Sequence, residues 1–584
     1  MKHLRCRFCP GVIGILAILT LLYDVGFEQS EFMDSLISTF YLFFLLFIVI
    51  GIPIRYILSF PKKQRLVIWI TDLLFWGVCL LVIINRIVYS VSEAVLIPGM
   101  VLKIWLVPLF IINLIREVSR VDRLFKNRKI NPALLFAGSF FLLCLTGSLL
   151  LMMPKANHAG ISFTDAFFTS TSAVCVTGLV VVDTGSHFTP FGQVLILILI
   201  QLGGIGIMTF TSVFVFFFKG GTSFQNLIIM GDLASENKFA NVFNTLLKIV
   251  VFTLLIEAAG AVLIYFNLTD PGLSVPGGRL FFSVFHSISA FCNAGFSNLS
   301  QSLSDIHFRF NYPLHLVIAL LIILGGLGFP VAINIYSYLK NWIKQWMPKT
   351  KAKQLIYSPA RIISLNTRIV AVTSLVLVLA GTLSFYLLEF NNTLSEHQGI
   401  GKLVTAFFGA VTPRTAGFNS VDTGNLHLPT IALVIVLMWI GASPASTGGG
   451  IKTSTIALAV LNVMSIVRGR SRINFYRREI SSLSVNRAFA IIVLSLLVIG
   501  SSAFLLTLTE PGKAFSDLIF EVVSAFSTVG LSTGITADLT PAGKYVIILT
   551  MFVGRVGTLT LLVAFFRNPR TSLFKFPSEG VLIN

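Results

Sequence analysis

The sequence predicts an all-α polytopic membrane protein. Four helix–pore loop–helix repeats stand about a pseudo-fourfold axis, and about four further transmembrane helices precede them. Three observations predict it. First, the 584-residue chain is 55% hydrophobic and only 11% charged, with mean hydropathy +0.88. Apolar runs of about 20 residues, enough to cross a hydrocarbon core, recur along its length. Second, basic clusters at 55–65, 116–129, 340–361 and 468–487 separate these runs. The positive-inside rule assigns such clusters to the cytoplasm, so membrane topology accounts for the net charge of +19 and no nucleic-acid partner is needed. Third, four short stretches end in glycine, at Gly178, Gly295, Gly417 and Gly530. Each glycine is followed by a large apolar residue (Leu179, Phe296, Phe418, Leu531) and preceded ten positions earlier by Phe168, Phe285, Phe407 or Phe520. They recur about every 115–120 residues, which marks internal repeats.

Residues 1–20 combine a basic start with a short apolar run. No A-x-A-like cleavage site follows, so they read as an uncleaved first membrane helix rather than a secretory signal. Cys6 and Cys9 form a C-x-x-C beside His3 without a second pair, which reads as interfacial thiols more readily than as a metal site. The six cysteines show no disulfide framework. Apolar runs centre on 13–23, 36–54, 66–87 and 94–115. Arg116, Arg120, Arg123, Lys126 and Lys129 then follow at helical spacing. Asp122 and Arg128 interrupt that pattern, favouring an interfacial linker helix over a voltage sensor; lipid or subunit docking is a third reading.

The remainder divides into four units, each with an outgoing helix, a re-entrant segment and a returning helix. The segments are 132–153, 162–183 and 190–218; 241–266, 279–298 and 313–338; 361–389, 401–422 and 428–467; 487–508, 513–536 and 542–566. The expected domains are 1–130 for the extension, and 131–220, 221–340, 341–468 and 469–584 for the repeats, the last with a cytoplasmic tail. Even passage keeps all four loops outside and all junctions inside, for about twelve spans and two cytoplasmic termini. Non-helical backbone at membrane depth is tolerated only where it lines a watery cavity or is buried in protein. Four such segments at matching places predict one shared cavity, the geometry of an ion pore.

A dehydrating cation needs oxygen dipoles in place of water, and rings of backbone carbonyls supply them. Glycine reaches the backbone conformations this requires without a Cβ penalty. The carboxyl end of each preceding short helix adds partial negative charge. The expected filter residues are Val176, Thr177, Gly178, Asn293, Ala294, Gly295, Thr415, Ala416, Gly417, Thr528, Val529 and Gly530, with K+ at their carbonyls.

These residues resemble the Trk/Ktr/HKT superfamily of potassium transporters, in particular its TrkH- and KtrB-like pore subunits. The likeness runs from about 132 to the carboxyl end. It is carried by V-T-G-L at 176–179, T-P-R-T-A-G-F-N at 412–419, S-P-A-S-T-G-G-G-I-K-T at 443–453 and G-R-V-G-T-L-T at 554–560. The resemblance implies that the four loop glycines form a potassium filter, and that glycine at all four positions favours potassium. It also implies a homodimer of pores, a separate nucleotide-binding cytoplasmic ring, and a bacterial plasma (inner) membrane location. The basic loops 340–361 and 468–487 are candidate docking sites for the ring, although lipid headgroups explain the same charges. This chain has no G-x-G-x-x-G opening a helix after a strand. No tightly bound cofactor is expected, with K+ as the transported ion.

All returning helices carry small residues, which for the first two units reads as close helix packing or as a functional break. In the third unit, Gly441, Ser443, Pro444, Ser446, Thr447, Gly448, Gly449 and Gly450 cannot sustain a helix, because proline removes a donor and glycine costs about 1 kcal/mol per residue. The resemblance assigns this break to an intramembrane gate loop and puts Arg555 in the pore beside it. Lys452 is either a gate-adjacent charge or a cytoplasmic anchor. An intramembrane arginine must face the protein interior or water, as a charge opposing cation entry or as a contact holding helices together. Glu257, in an apolar run, is expected to pair with a basic group or a helix dipole, or else to be an ion or proton site. Asp183 and Asp422 are expected at the outer mouth. The alternative to channel-like potassium uptake is a sodium- or proton-coupled carrier of a small solute or cation, and symport stays open. Carriers favour paired inverted repeats, whereas these four run in one direction. No cluster of catalytic residues points to an enzyme.

Overall fold

The computed structural model describes residues 2–58, 72–73, 75–84, 109, 132–218, 237–268, 276–346, 363–470, 472–476 and 478–565. The apolar run at 94–115 (apart from Leu109), the basic segment 116–129, most of the run at 66–87, and the side chains of His3, Cys6 and Cys9 lie outside the described residues. The chain divides into two compact units, residues 1–130 with 153–155, and residues 131–152 with 156–584.

In the first unit, α1 (Lys2–Gly26) packs on α2 (Glu31–Leu58), with Ala17 and Leu21 against Ile37, Tyr41 and Ile48. The Tyr41 hydroxyl donates to Asp24 Oδ2 at 2.9 Å, and Lys155 Nζ donates to the Asp24 carbonyl at 3.4 Å.

The second unit is helical apart from a hairpin of two-residue strands, Asn474–Phe475 and Arg478–Glu479. Its first repeat is α3 (Pro132–Leu151), the short α4 (Phe163–Val174) and α5 (Pro190–Phe218). The second is α6 (Asn237–Asn267), the short α7 (Gly278–Cys292), and α8 (Tyr312–Leu327) continued by α9 (Phe329–Trp346). The third is α10 (Leu365–Glu389), the short α11 (Ile400–Val411), α12 (Leu428–Trp439) and α13 (Thr453–Val467). The fourth is α14 (Ser482–Thr509), the short α15 (Phe515–Ser527), α16 (Pro541–Val556) and α17 (Thr558–Phe565). Among the described residues six helices are long and apolar enough to cross a membrane, and the bent α8–α9 pair makes a seventh. The chain is thus an all-α polytopic membrane protein. The broken returning helices of the third and fourth repeats account for two of the five spans short of the twelve expected; the other three are the runs at 13–23, 66–87 and 94–115, the last two largely outside the described residues.

Three returning helices are interrupted, those of the second, third and fourth repeats, where a break was expected outright only in the third. Between α8 and α9 the axis bends by 103° at Gly328, which has φ +78°. Between α16 and α17 the break is Gly557, at φ +88°. The G-G-x-G pattern at 203–206, by contrast, stays helical. The difference is Pro330: it has no N–H to give to the carbonyl of Gly326, four residues back, and its ring excludes that carbonyl from the helical position.

The repeats close into a ring. Each returning helix packs on the short helix of the next repeat: α5 on α7, α8 on α11, α12 on α15, and α16 back on α4. Three of these helices carry glycine where their own repeat's short helix ends. A Cβ on Gly203, Gly325 or Gly554 would overlap the carbonyl oxygen of Val174, Phe291 or Phe526, each four residues before the loop glycine. The close-packing reading of these small residues is therefore correct for Gly203 and Gly325. Gly325→Ala is expected to cost on the order of 1–3 kcal/mol by overpacking. A lowered unfolding midpoint in detergent checks it, against an unchanged midpoint for Gly326→Ala, whose added carbon meets its nearest atom at 3.5 Å.

Candidate functional site

The four short helices end at Val174, Cys292, Val411 and Ser527, a few residues before the four glycines. Each loop then turns the same way. Val176, Asn293, Thr415 and Thr528 adopt φ between +50° and +73°, and Gly178, Gly295, Gly417 and Gly530 adopt φ between +70° and +93°. The residue between them, Thr177, Ala294, Ala416 or Val529, does not. Alternating the sign of φ turns successive carbonyls to one side, where a strand would alternate them.

The loops meet. A Cβ built on Gly178 would overlap the carbonyl oxygen of Ala294; on Gly295, that of Ala416; on Gly417, that of Val529; on Gly530, that of Thr177. It would also lie 3.2, 3.0, 3.1 and 2.9 Å, in that order, from the Cα of the next glycine around. The cycle runs through repeats one, two, three, four and back to one. All twelve expected filter residues sit in this ring. A side chain is excluded at the glycines both by left-handed φ and by the neighbour's carbonyl.

Hydroxyls absent from the sequence reading hold the ring from behind. Ser172 Oγ accepts from Gly178 N at 3.0 Å and Ser524 Oγ from Gly530 N at 3.1 Å. Ser289 and Thr412 instead donate to the carbonyls of Phe296 and Phe418, both at 2.7 Å. The signal was present as a hydroxyl residue six positions before three of the glycines and five before the third. That offset also corrects the phenylalanine register. Phe168, Phe285 and Phe520 are fully buried, but in the third loop the fully buried residue is Phe408, with Phe407 only partly buried. The third loop is one residue shorter than the others between the buried phenylalanine and the glycine.

Outside the ring lies a cavity of about 880 Å³, lined by the four glycines together with Asp183, Glu396 and Asp422. Asp183 and Asp422 are at this mouth and also cap turns, accepting from Gly185 N and Gly424 N. Arg309 pairs with Glu396 on the same wall. Nearby His397 titrates below the ordinary imidazole value, chiefly because it is buried.

Inside the ring lies the broken segment between α12 and α13. Gly448 abuts Thr415 Oγ1, and Gly449 abuts Thr528 Oγ1 and the Ser527 carbonyl, so that a Cβ on either would collide. Gly450 adopts φ +64° and packs on Gly441 and Ser527. The Gly326 carbonyl, released by Pro330, accepts from Ser443 N at 3.1 Å and from its hydroxyl. Ser446 Oγ donates to the Ser443 carbonyl at 2.6 Å. Thr447 Oγ1 donates to the Phe291 carbonyl at 3.3 Å, and a Cβ on Gly328 would meet the Pro444 carbonyl at 2.6 Å. Lys452 Nζ donates to the carbonyls of Gly448 and Gly449 at 2.6 and 3.3 Å, and so sits with the break rather than as a cytoplasmic anchor. Arg555, only 2% exposed, donates to the carbonyls of Thr447 and, at 3.1 Å, Gly203. Its contacts are with carbonyls and it has no ion pair among the described residues. All ten expected gate residues thus lie together under the ring.

Glu257 differs from expectation. Its carboxyl accepts from Gln201 Nε2 at 2.9 Å and faces Cys292 Sγ at 3.7 Å, with no basic partner among the described residues. Cys79, Cys144, Cys175 and Cys292 are all buried.

A closed cycle of glycine loops at the ends of four short helices, in a chain with helices long and apolar enough to cross a membrane, is the arrangement of a membrane transport protein. The chain belongs to the TrkH family of cation transport proteins, whose pattern matches residues 134–576. It is 38% identical over 447 residues to "Ktr system potassium uptake protein B" of Vibrio alginolyticus, covering 76% of this chain and 93% of that one. It is 36% identical over 466 residues to the protein of the same description in Bacillus subtilis, covering 79% and 98%. Identity to "Potassium/sodium uptake protein NtpJ" of Enterococcus hirae is 35% over 464 residues, covering 78% and 98%. The fold is shared with the crystal structure of the potassium transporter TrkH from Vibrio parahaemolyticus, at TM-score 0.61 and 19% identity, covering 85% of this chain and 97% of that one. These are proteins of transport, not enzymes.

Ser172→Ala and Ser524→Ala each leave a buried glycine N–H without its acceptor. Each is expected to cost about 1–3 kcal/mol, read as a lowered unfolding midpoint.

Proposed function

We propose that this chain is a pore subunit for channel-like potassium uptake across a bacterial plasma (inner) membrane. Potassium passes along the carbonyls of 176–178, 293–295, 415–417 and 528–530, and the segment 441–452 with Arg555 gates it from below. The observation that carries this reading is the closed cycle in which every loop glycine abuts the next loop's carbonyl. Oxygen dipoles in such a ring replace the hydration shell of a monovalent cation. The names of the relatives at 33–38% identity, each a potassium or potassium/sodium uptake protein, support potassium as the ion. The five domains are 1–130, 131–220, 221–340, 341–468 and 469–584. Both termini face the cytoplasm, as the basic clusters favour. Inward movement then gains about 2.3 kcal/mol per 100 mV of inside-negative potential, which drives accumulation without a coupled ion. By resemblance, two such pores pair, and a nucleotide-binding cytoplasmic ring regulates them. The coupled-carrier alternative has no comparable observation in its favour.

Expression in a bacterium lacking potassium uptake tests the reading. Growth at low potassium and rubidium influx are expected; absence of both in a correctly inserted protein overturns it. Gly178→Ser is expected to admit more sodium, because its side chain displaces the Ala294 carbonyl, and Gly417→Asp to abolish influx. Ion preference unchanged in both variants removes the ring from the pathway.

Arg555→Ala takes the donor from the carbonyls of Thr447 and Gly203, contacts worth about 1.5–3 kcal/mol each for a charged donor. The loop is expected to open more often and rubidium influx to rise several-fold, on the order of tenfold. Influx equal to wild type at equal membrane abundance removes Arg555 from gating.

A further inference from the structure

The four loops are not held alike, and the difference follows the diagonal of the ring. In the second repeat, the side chain nine positions before the glycine is His286, fully buried on α7. Its Nδ1 lies 3.0 Å from the Phe282 carbonyl, which can only accept, so Nδ1 carries the proton. Its Nε2, 2.9 Å from Ser297 Oγ, must then accept from that hydroxyl. Ser297 stands two positions after Gly295, and its Oγ accepts in turn from Leu299 N at 3.0 Å.

The fourth repeat builds the same device from other chemistry. Nine positions before Gly530 is Glu521, fully buried on α15. Its Oε2 accepts from Ser532 Oγ at 2.8 Å, and Ser532 stands two positions after Gly530. Ser532 Oγ accepts from Gly534 N at 3.0 Å. Thr536 donates to the other carboxyl oxygen. In both repeats a buried acceptor on the short helix receives a serine hydroxyl just past the glycine, and that serine receives the N–H two residues further on. The first and third repeats have no such link. Thr169 turns its hydroxyl onto its own helix, to the Asp165 carbonyl at 2.8 Å, and Val180 stands where the serine would be. The third repeat has Phe408 and Gly409 on the helix side, and Asn419 receives Thr423 instead. Since the ring runs one–two–three–four, the two linked loops face each other across the axis.

We infer that His286–Ser297 and Glu521–Ser532 are a diagonal pair of braces that set the separation of the second and fourth loops, and so the ion discrimination of the ring. His286 and Glu521 are positioning residues: neither is part of the carbonyl ring, and each acts through a serine on the exit side of its loop. A carbonyl ring discriminates between ions of one charge by how far its oxygens can close on the smaller one. A tie behind two opposite walls limits that closure along one diagonal. The inference rests on the proposed potassium reading of the ring.

The experiment compares rubidium and sodium influx in the full-length protein in proteoliposomes, with abundance and unfolding midpoint measured on the same samples. Ser297→Ala and Ser532→Ala, which delete one hydroxyl each, are expected to lower the rubidium-to-sodium ratio about fivefold, the equilibrium factor that one hydrogen bond is worth. The double variant is expected to lower it further. Ser532→Thr, which keeps the hydroxyl, is expected to retain the wild-type ratio. Val180→Ala and Asn419→Ala, at the same position in the unlinked loops, are expected to leave it unchanged. Should an alanine variant fail to assemble, Ser297→Cys and Ser532→Cys keep the volume with a weaker donor and are read in the same way. An unchanged ratio in the serine variants overturns the braces and leaves the potassium reading standing. So does an equal fall in the Val180 and Asn419 controls. A wild-type protein with no preference for rubidium over sodium overturns the potassium reading and the braces with it.

Discussion

The structure depends on four loops of one chain coming closer together than any side chain permits. Each loop glycine lies against the carbonyl oxygen of its neighbour, and its backbone sits in the left-handed half of the φ map. Glycine alone satisfies both demands at once. The remaining features follow from holding that contact. The short helices end at the ring, where their last carbonyls add negative potential. Hydroxyls of Ser172, Ser289, Thr412 and Ser524 tie the loop backbone to those helix ends. The phenylalanines behind and after the loops fill the volume between ring and helices, so that the loops cannot fall back.

Below the ring, backbone groups freed from one helix satisfy those freed from another. Pro330 leaves the Gly326 carbonyl without an intrahelical donor, and Ser443, in the break of the third repeat, supplies it. Thr447 reaches the end of the second short helix, and Arg555 ties Thr447 to the first repeat. A buried polar group costs free energy unless partnered, so two broken helices at one level are less costly than either alone. The segment touches all four repeats and is held by hydrogen bonds to several of them.

Much of this was legible in the sequence. The four glycines, their apolar successors and the short helices before them recur at a period that no single packing need explains, and the break at 441–452 carries too much glycine and proline to be missed. Other features depend on tertiary context. G-G-I-G at 203–206 and G-G-L-G at 325–328 are nearly the same string, yet one is straight helix and the other a 103° bend. A glycine only permits a break, and the proline two residues later forces it. The one-residue shortening of the third loop was hidden by adjacent phenylalanines: Phe407 fits the ten-residue spacing, while Phe408 is the one that is buried. Glu257 was expected to meet a basic group or a helix dipole, or to be an ion or proton site, and of the basic group the structure shows none among the described residues: its carboxyl meets Gln201 and Cys292. The order of repeats around the axis was not legible, since equal loops say nothing about which neighbours touch.

Because one polypeptide writes all four quarters of the ring, symmetry here is approximate by construction. A ring assembled from four identical subunits repeats any alteration fourfold, and so tolerates only changes that suit every quarter. This chain can place asparagine backed by histidine in one quadrant, a loop one residue shorter in another, and glutamate behind a third, each without consequence for the rest. The aperture is therefore a mosaic, open to adjustment one wall at a time.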